Sequence, residues 1–589
     1  MSLTENISLK AFWDALEQRL AACSADELRA ILRAMAQETP PGERPAFLAK
    51  LEPVAEAITA QAITAQQEIA QEDLLADIED LVSQIEATQA DADDWEGETE
   101  WGGHDDEDSL GPYAEFAEPL ARLFDRAAAA FDTGHLPLAR DAYAALSEAL
   151  TLEDDYGRGI RAYDVTGVDL REAGARYLRA VYETEPPASR PPAILAQMLR
   201  APAWLSQPRP TLESLLQISP RPLPDRERFL ADWIAFLRTQ EGSAADAWLR
   251  EAVRLAHGTA GLAALARDEG TTRPRAYLDW FTALAQEGKS REVLIAAQAA
   301  LQTLPAGLPI RAAVADQLCA AAAKLDEPQA VRAGRWEAFL AKPTLPRLLD
   351  LWDAAPAGAE RTALLRQAIQ HLEDCLAHPP SQPVGFAMGE DDLERPVWVG
   401  KGTIAHADLL AEDFDAACEL AGRAEVLSWS SSDHPQGLVV PFLLALLSGK
   451  TPGALPPNLA QLWQGAISTS AGFWPNVTTP GDSVPKRLER IYAELLARVS
   501  LDDNEGETLL AWCLEVAQRR VAAIVSGQHR KSYDKAALLT VACAEALRLR
   551  GRVGAAGTLL DDVRERFPRH RAFQTELNTA LQKMERGLR

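Results

Sequence analysis

FDTGHLPLARDAYAALSEAL, residues 131–150, is the stretch on which the reading of this chain turns. Gly134 interrupts a run of helix formers, and Leu136, Ala139, Tyr143 and Leu146 follow it at 2, 5, 9 and 12 residues. Those intervals place four apolar side chains, small and large in alternation, on one stripe of a helix. Glycine supplies the left-handed cap that ends the preceding helix and lets the chain reverse. The stretch therefore predicts a helical hairpin.

Anchoring on the turn finds the same spacing elsewhere. In YLDWFTALAQEGKSREVLIAAQAALQTLP, residues 277–305, Gly288 is followed by Val293, Ala297 and Ala300, with Pro305 closing the unit. In TVACAEALRLRGRVGAAGTLLDDVRERFP, residues 540–568, Gly551 is followed by Val553, Ala556, Leu560 and Val563, and Pro568 stands at the same distance from its glycine. Degenerate copies occupy 409–429, with Phe414, Ala417, Leu420 and Ala424, and 321–343, ending at Pro343. This is the packing pattern of tetratricopeptide (TPR) repeats. The copies do not follow one another at the regular interval of about 34 residues, so the expected fold is all-α, an irregular TPR-like α-solenoid.

Outside the hairpins the chain divides by pattern. Residues 1–87 read as an N-terminal helical unit, in which Ser24 and Glu27 have capping-box spacing ahead of Leu28, Ile31 and Leu32. Its second part carries Ile58, Ile63, Ile69, Leu74, Leu75, Ile78, Leu81 and Ile85 on an acidic background, as in a long amphipathic helix. Residues 88–111 lose all apolar periodicity and read as a flexible acidic linker. TPR-like segments are expected over 112–377 and 403–589, separated by an irregular Pro/Gly-rich break at 378–402, and 470–486 is a second break. No run of about 20 apolar residues marks a membrane span, and the N-terminus lacks the layout of a signal peptide, so a cytoplasmic location is expected.

Charge is distributed unevenly. Of the net −28, −21 falls on residues 51–121, which contain no Lys or Arg. Residues 519–589 carry 15 basic against 7 acidic side chains. Within the acidic part, DADDWEGETEWGGHDDEDS (91–109) holds Trp95 and Trp101 among Asp93, Asp94, Asp105 and Asp106. Three readings stand for it. It is a solubilising linker, a docking motif whose indoles fill a partner's pocket while the carboxylates steer, or an arm that folds back on the basic C-terminal region, where Arg530, Lys531, Arg569 and Arg571 are the candidate contacts.

Other chemistry finds little to rest on. LLSGKTPG, 446–453, has Leu444 where a phosphate loop requires glycine, and GKGT at 400–403 fails in the same way. SWSSSDHPQG, 428–437, gathers serines, an acid and a histidine too closely in sequence for a nucleophile-base-orienter arrangement; it reads as Asp433 capping a helix with Pro435 in its first turn, the apolar LVVPFLLALL lying buried behind. The cysteines (Cys23, Cys319, Cys375, Cys418, Cys513, Cys543) stand far apart and read as small buried hydrophobes, and no histidine pair has helical metal-ligand spacing. No metal or cofactor is expected. In the basic C-terminal run, Tyr533, Phe567 and Phe573 fall at core spacing, which favours a solvated basic face over a nucleic-acid surface. An enzymatic alternative needs a site assembled from distant positions, such as Glu390, Asp391 and Asp392.

The order of an acidic Trp-bearing linker, FDTGHLPLARDAYAALSEALTLEDDYGRG, SWSSSDHPQGLVVPFLLALLSG and HRKSYDKAALLTVACAEALRLRGRVGAAGTLLDDVRERFPRHRAF resembles the helical-repeat regions of bacterial SWIM zinc-finger proteins, loosely and over about 112–589. The C-x-C and C-x-H of the finger do not occur here, so no zinc ligand carries over. The resemblance implies a helical scaffold among accessory components of ATPase-driven or defence-related complexes. The expected function is a non-enzymatic scaffold for protein–protein interaction; the alternative is a regulatory or effector-accessory protein whose acidic arm is autoinhibitory or docks.

Overall fold

The computed structural model describes residues 35, 60–91, 111–153, 159–160, 164–200, 211–380, 393–472 and 483–587. Among these there is no β-strand, and the chain is all-α. It divides into two compact units, Met1–Leu265 and Ala266–Arg589, so the boundary falls within 112–377.

The first unit contains α1 (Ala60–Asp91), α2 (Ala117–Asp132), α3 (Leu136–Ala149), α4 (Leu170–Thr184), α5 (Arg190–Arg200), α6 (Leu212–Gln217) and α7 (Arg226–Leu237). The division lies in α8 (Ser243–Glu269), which is kinked at Gly258. The acidic helix α1 buries Leu74, Ile78, Leu81 and Ile85. It also runs four residues into the stretch expected to be linker, because Thr88-Gln-Ala-Asp91 contains no helix breaker and continues the backbone ladder one turn past the last buried side chain. Helix α1 packs on α2 and α3, and α3 on α4.

The second unit begins with α9 (Arg275–Gln286), α10 (Ser290–Thr303), α11 (Arg311–Lys324), α12 (Pro328–Ala341), α13 (Leu345–Ala354) and α14 (Ala359–Ala377). It continues with α15 (Lys401–Leu410), α16 (Phe414–Gly422), α17 (Pro435–Leu447), α18 (Pro457–Ser470) and α19 (Val484–Arg498). It ends with α20 (Asp503–Ser526), α21 (Tyr533–Leu549), α22 (Val553–Arg566) and α23 (Arg571–Gly587). From α9 to α15 every helix packs on the next in sequence. Beyond that the order breaks: α17 is surrounded by α15, α16, α18, α20 and α21, and α21 by α18, α20, α22 and α23.

Among the described residues one turn occurs six times. After α2, the N–H of His135 donates to the Ala130 carbonyl at 2.9 Å and that of Gly134 to Phe131 at 3.0 Å, with Gly134 at φ 88°. The same pair of bonds, characteristic of a left-handed helix cap, closes α9 at Gly288, α11 at Asp326, α15 at Glu412, α20 at Gln528 and α21 at Gly551, all at positive φ. The spacing pattern anticipates five of these. Gln528 is the exception; like Asp326 and Glu412 it enters the left-handed region without being glycine. The stripes behind the turns are buried as expected at Ala139, Tyr143, Leu146, Val293, Ala297, Ala300, Ala556, Leu560 and Val563. Val553 is a correction. It is the first residue of α22, ahead of the surface that helix buries, and is 62% exposed.

Two kinds of polar device join the helices. Carboxylates cap helix N-termini from far along the chain: Glu251 accepts from the N–H groups of Leu212 (3.0 Å) and Glu213 (2.9 Å) at α6, and Glu545 from Asn458 and Leu459 at α18. An arginine–aspartate network, meanwhile, ties α11, α12, α13 and α19. In it Asp350 meets Arg335 at 3.2 Å and Arg487 at 2.9 Å, while Arg347 pairs with Asp316 at 2.8 Å.

Candidate functional site

The break that ends at Gly400 delivers the chain into α15 through Gly400-Lys401-Gly402-Thr403. Both glycines are dictated by close approach. A Cβ on Gly400 would lie 1.8 Å from Asp433 Oδ1, and one on Gly402 would lie 2.4 Å from the Ser432 carbonyl. Asp433 is expected to cap its own helix; instead its Oδ1 accepts the Gly402 N–H at 2.9 Å, capping α15, while α17 has no side-chain cap. The reason is geometric. The tight turn through Ser431–His434 aims the carboxylate across to the open N-terminus of α15, whose unpaired N–H groups attract it.

One turn into α15, His406 is 1% exposed. Its Nδ1 lies 2.7 Å from the Tyr492 hydroxyl. Burial holds Tyr492 in its protonated form, and Tyr492 has no other acceptor among the described residues, so we assign its O–H as donor to Nδ1, leaving the ring proton on Nε2. Burial pushes the imidazole down to about 3, against a small opposing pull from the Ser470 backbone, so the ring is neutral at ordinary pH. Nε2 nevertheless makes no hydrogen bond of normal geometry. The Ser470 backbone, which favours the protonated ring, offers this buried donor at most a poorly formed hydrogen bond, a costly arrangement.

His406 lines a cavity of about 290 Å³ together with Leu345, Trp398, Thr403, Asp433 and Ser470. Among the described residues no lysine or arginine lines it. Trp398, at its rim, is 54% exposed and is the one large aromatic so exposed among the described residues. Elsewhere in this unit Arg267 covers Trp280 at 4.7 Å, Arg361 covers Trp352 at 4.3 Å and Arg520 covers Trp429 at 4.2 Å. Trp398 has no such cover among the described residues.

Arg530 and Lys531 lie exposed on the turn Arg530–Ser532, Arg569 lies exposed between α22 and α23, and Arg571 lies exposed at the first position of α23. The structure brings the two turns together, because Tyr533 packs edge-on against Phe573 at 5.9 Å and Phe573 against Phe567 at 5.9 Å. The three rings are buried, as their core spacing predicts. Trp95, Trp101, Asp93, Asp94, Asp105 and Asp106 lie outside the described residues, as do Glu390, Asp391, Asp392, Ser24, Glu27 and Cys23. Cys319, Cys418, Cys513 and Cys543 are buried free thiols, and burial raises Cys319 to about 11. No helix of the described residues is long and apolar enough to cross a membrane.

The sequence reading missed the His406 cavity. Its one available signal was the paired glycines of GKGT, tested only against a phosphate loop; their real constraint, Asp433, stands 31 residues away from Gly402. No protein-family model matches the chain, and no curated protein matches it.

Proposed function

We propose that this chain is a non-enzymatic, cytoplasmic helical-repeat scaffold, an irregular TPR-like α-solenoid that binds a protein partner. The observation that carries the reading is the sixfold recurrence of one left-handed turn, which builds helix hairpins from unlike sequences. Stacked hairpins leave their outer helix faces free for recognition, the general use of such arrays. The adjacent basic turns at Arg530–Lys531 and Arg569–Arg571 favour a second contact with an acidic segment, either a partner's or this chain's own 88–111. That supports the regulatory or effector-accessory alternative, of the kind the SWIM resemblance implies. The test compares what the intact chain retains from its own organism's lysate with what is retained by a chain lacking 92–110 and by one carrying Arg530→Glu and Arg569→Glu. A partner retained by the intact chain and lost from either variant supports the reading. An intact chain that retains no protein above background overturns it.

A further inference from the structure

We propose that the cavity bordered by Trp398, His406 and Asp433 is a binding site for a compact guanidinium compound that carries a hydrogen-bond acceptor oxygen. The inference goes beyond the scaffold reading and does not depend on it.

Three observations converge. At the inner end, His406 presents Nε2–H with no acceptor of normal geometry, in a ring too deeply buried to gain a proton and act as a cation. That position is satisfied by a neutral or anionic oxygen. At the outer end the only charged side chain among the described residues lining the cavity is a carboxylate, Asp433, fixed in place by the Gly402 N–H and by the absence of a Cβ on Gly400 and Gly402. Because the N-terminus of α15 offsets only about half of the Asp433 charge, the mouth repels a further anion and favours a positive group. Beside it stands an indole face open to solvent. Three other tryptophans of the same unit have their faces covered by a guanidinium of the chain itself. A guanidinium from outside, stacked on Trp398 and paired to Asp433, repeats an arrangement this unit already uses. The volume of about 290 Å³ sits at the small end of the range for ligand pockets, roughly 300–1,000 Å³, which suits a single amino-acid derivative or one arginine side chain with its neighbouring carbonyl.

The guanidinium has two possible sources, a free small molecule or an arginine of a peptide, and the experiment separates them. The purified full chain is titrated calorimetrically with L-argininamide, with L-citrullinamide, which keeps the α-amine but has an uncharged ureido group in place of the guanidinium, and with the blocked tripeptide acetyl-Gly-Arg-Gly-amide. Saturable binding of either cationic probe is expected, at least about tenfold tighter than the citrulline compound, or about 1.4 kcal/mol. Tighter binding of argininamide assigns the site to a free compound; tighter binding of the tripeptide assigns it to a peptide. Trp398→Ala, a surface change that leaves the core intact, is expected to weaken binding about tenfold, within the range of a cation–π contact. In a chain labelled with ¹⁵N-histidine, the His406 Nε2 resonance is expected to shift on saturation. The proposal is overturned if neither cationic probe binds in the millimolar range, if the citrulline compound binds as tightly, or if Trp398→Ala binds unchanged.

Discussion

Two stretches of the second unit solve the same burial problem differently. Between α9 and α14 each helix covers its sequence neighbour, and charge is admitted to the joints, as at Asp350, Arg347 and Arg311. From α15 onward the core gathers around α17, whose residues are buried on every side except Gly437, and its neighbours come from up to a hundred residues away. The first stretch is a set of local agreements, and the second is one shared centre. Local agreements leave a periodic trace in sequence, whereas a helix apolar all round shows that it is buried and nothing about what buries it.

The comparison can be broken most forcefully at the shared centre. Phe442 is fully buried against the rings of Phe414, Trp463 and Tyr492, so Phe442→Ala is expected to cost about 4 kcal/mol in chemical denaturation of the full chain. In the sequential stretch an electrostatic joint is the comparable target. Asp350→Ala leaves Arg335 and Arg487 without their buried partner and is expected to cost about 3 kcal/mol, more than the small apolar truncation Val293→Ala in α10. A smaller loss from Asp350→Ala than from Val293→Ala would remove the distinction drawn between the two stretches.

Asp408, on α15 where the two arrangements meet, gives a test in pH. Burial, with Asp413 and Glu373 nearby, raises its carboxyl to about 7. The folded chain therefore holds a proton between about pH 4 and 7 that the unfolded chain releases. Stability is fullest below this window, falls as pH rises through it, and is lowest above pH 7. Asp408→Asn is expected to flatten that slope and raise stability at pH 8 by on the order of 2 kcal/mol; a melting temperature at pH 8 unchanged by the substitution contradicts this assignment. The smallest effects belong to the turns common to both stretches. A Cβ at Gly288 meets no atom within 4 Å, so Gly288→Ala is expected to cost only the backbone strain of about 1–2 kcal/mol. Gln528→Gly is expected to gain less than about 1 kcal/mol by relieving the same strain.

What the sequence could and could not disclose follows from the range of each interaction. Gly134, Gly288 and Gly551 announce their turns because the left-handed cap and the stripe that packs behind it lie within twelve residues. Tyr533, Phe567 and Phe573 could be placed in the core from spacing, though not in contact with one another. Asp433 was legible as a cap but not as a cap for α15, and Glu545, which holds the start of α18 from 87 residues away from Asn458, was not legible at all. The cavity belongs to this second class. Its walls come from four separate stretches, around Leu345, Trp398–His406, Ser432–Asp433 and Ser470, and only the fold brings them together.

The buried helix α17 also sets a problem of timing. Ten of its thirteen residues run unbroken from Leu438 to Leu447 with no charged side chain, yet the helices that cover much of it, α20 and α21, end about a hundred positions later. At ribosomal speeds of 5–20 residues per second that gap is about 5–20 s, during which a wholly apolar helix has left the tunnel while part of its covering has not yet been synthesised. The hairpins before it close on themselves as they emerge. The nascent chain is thus most exposed to aggregation and to chaperone capture over one defined interval, after Leu447 and before Leu549.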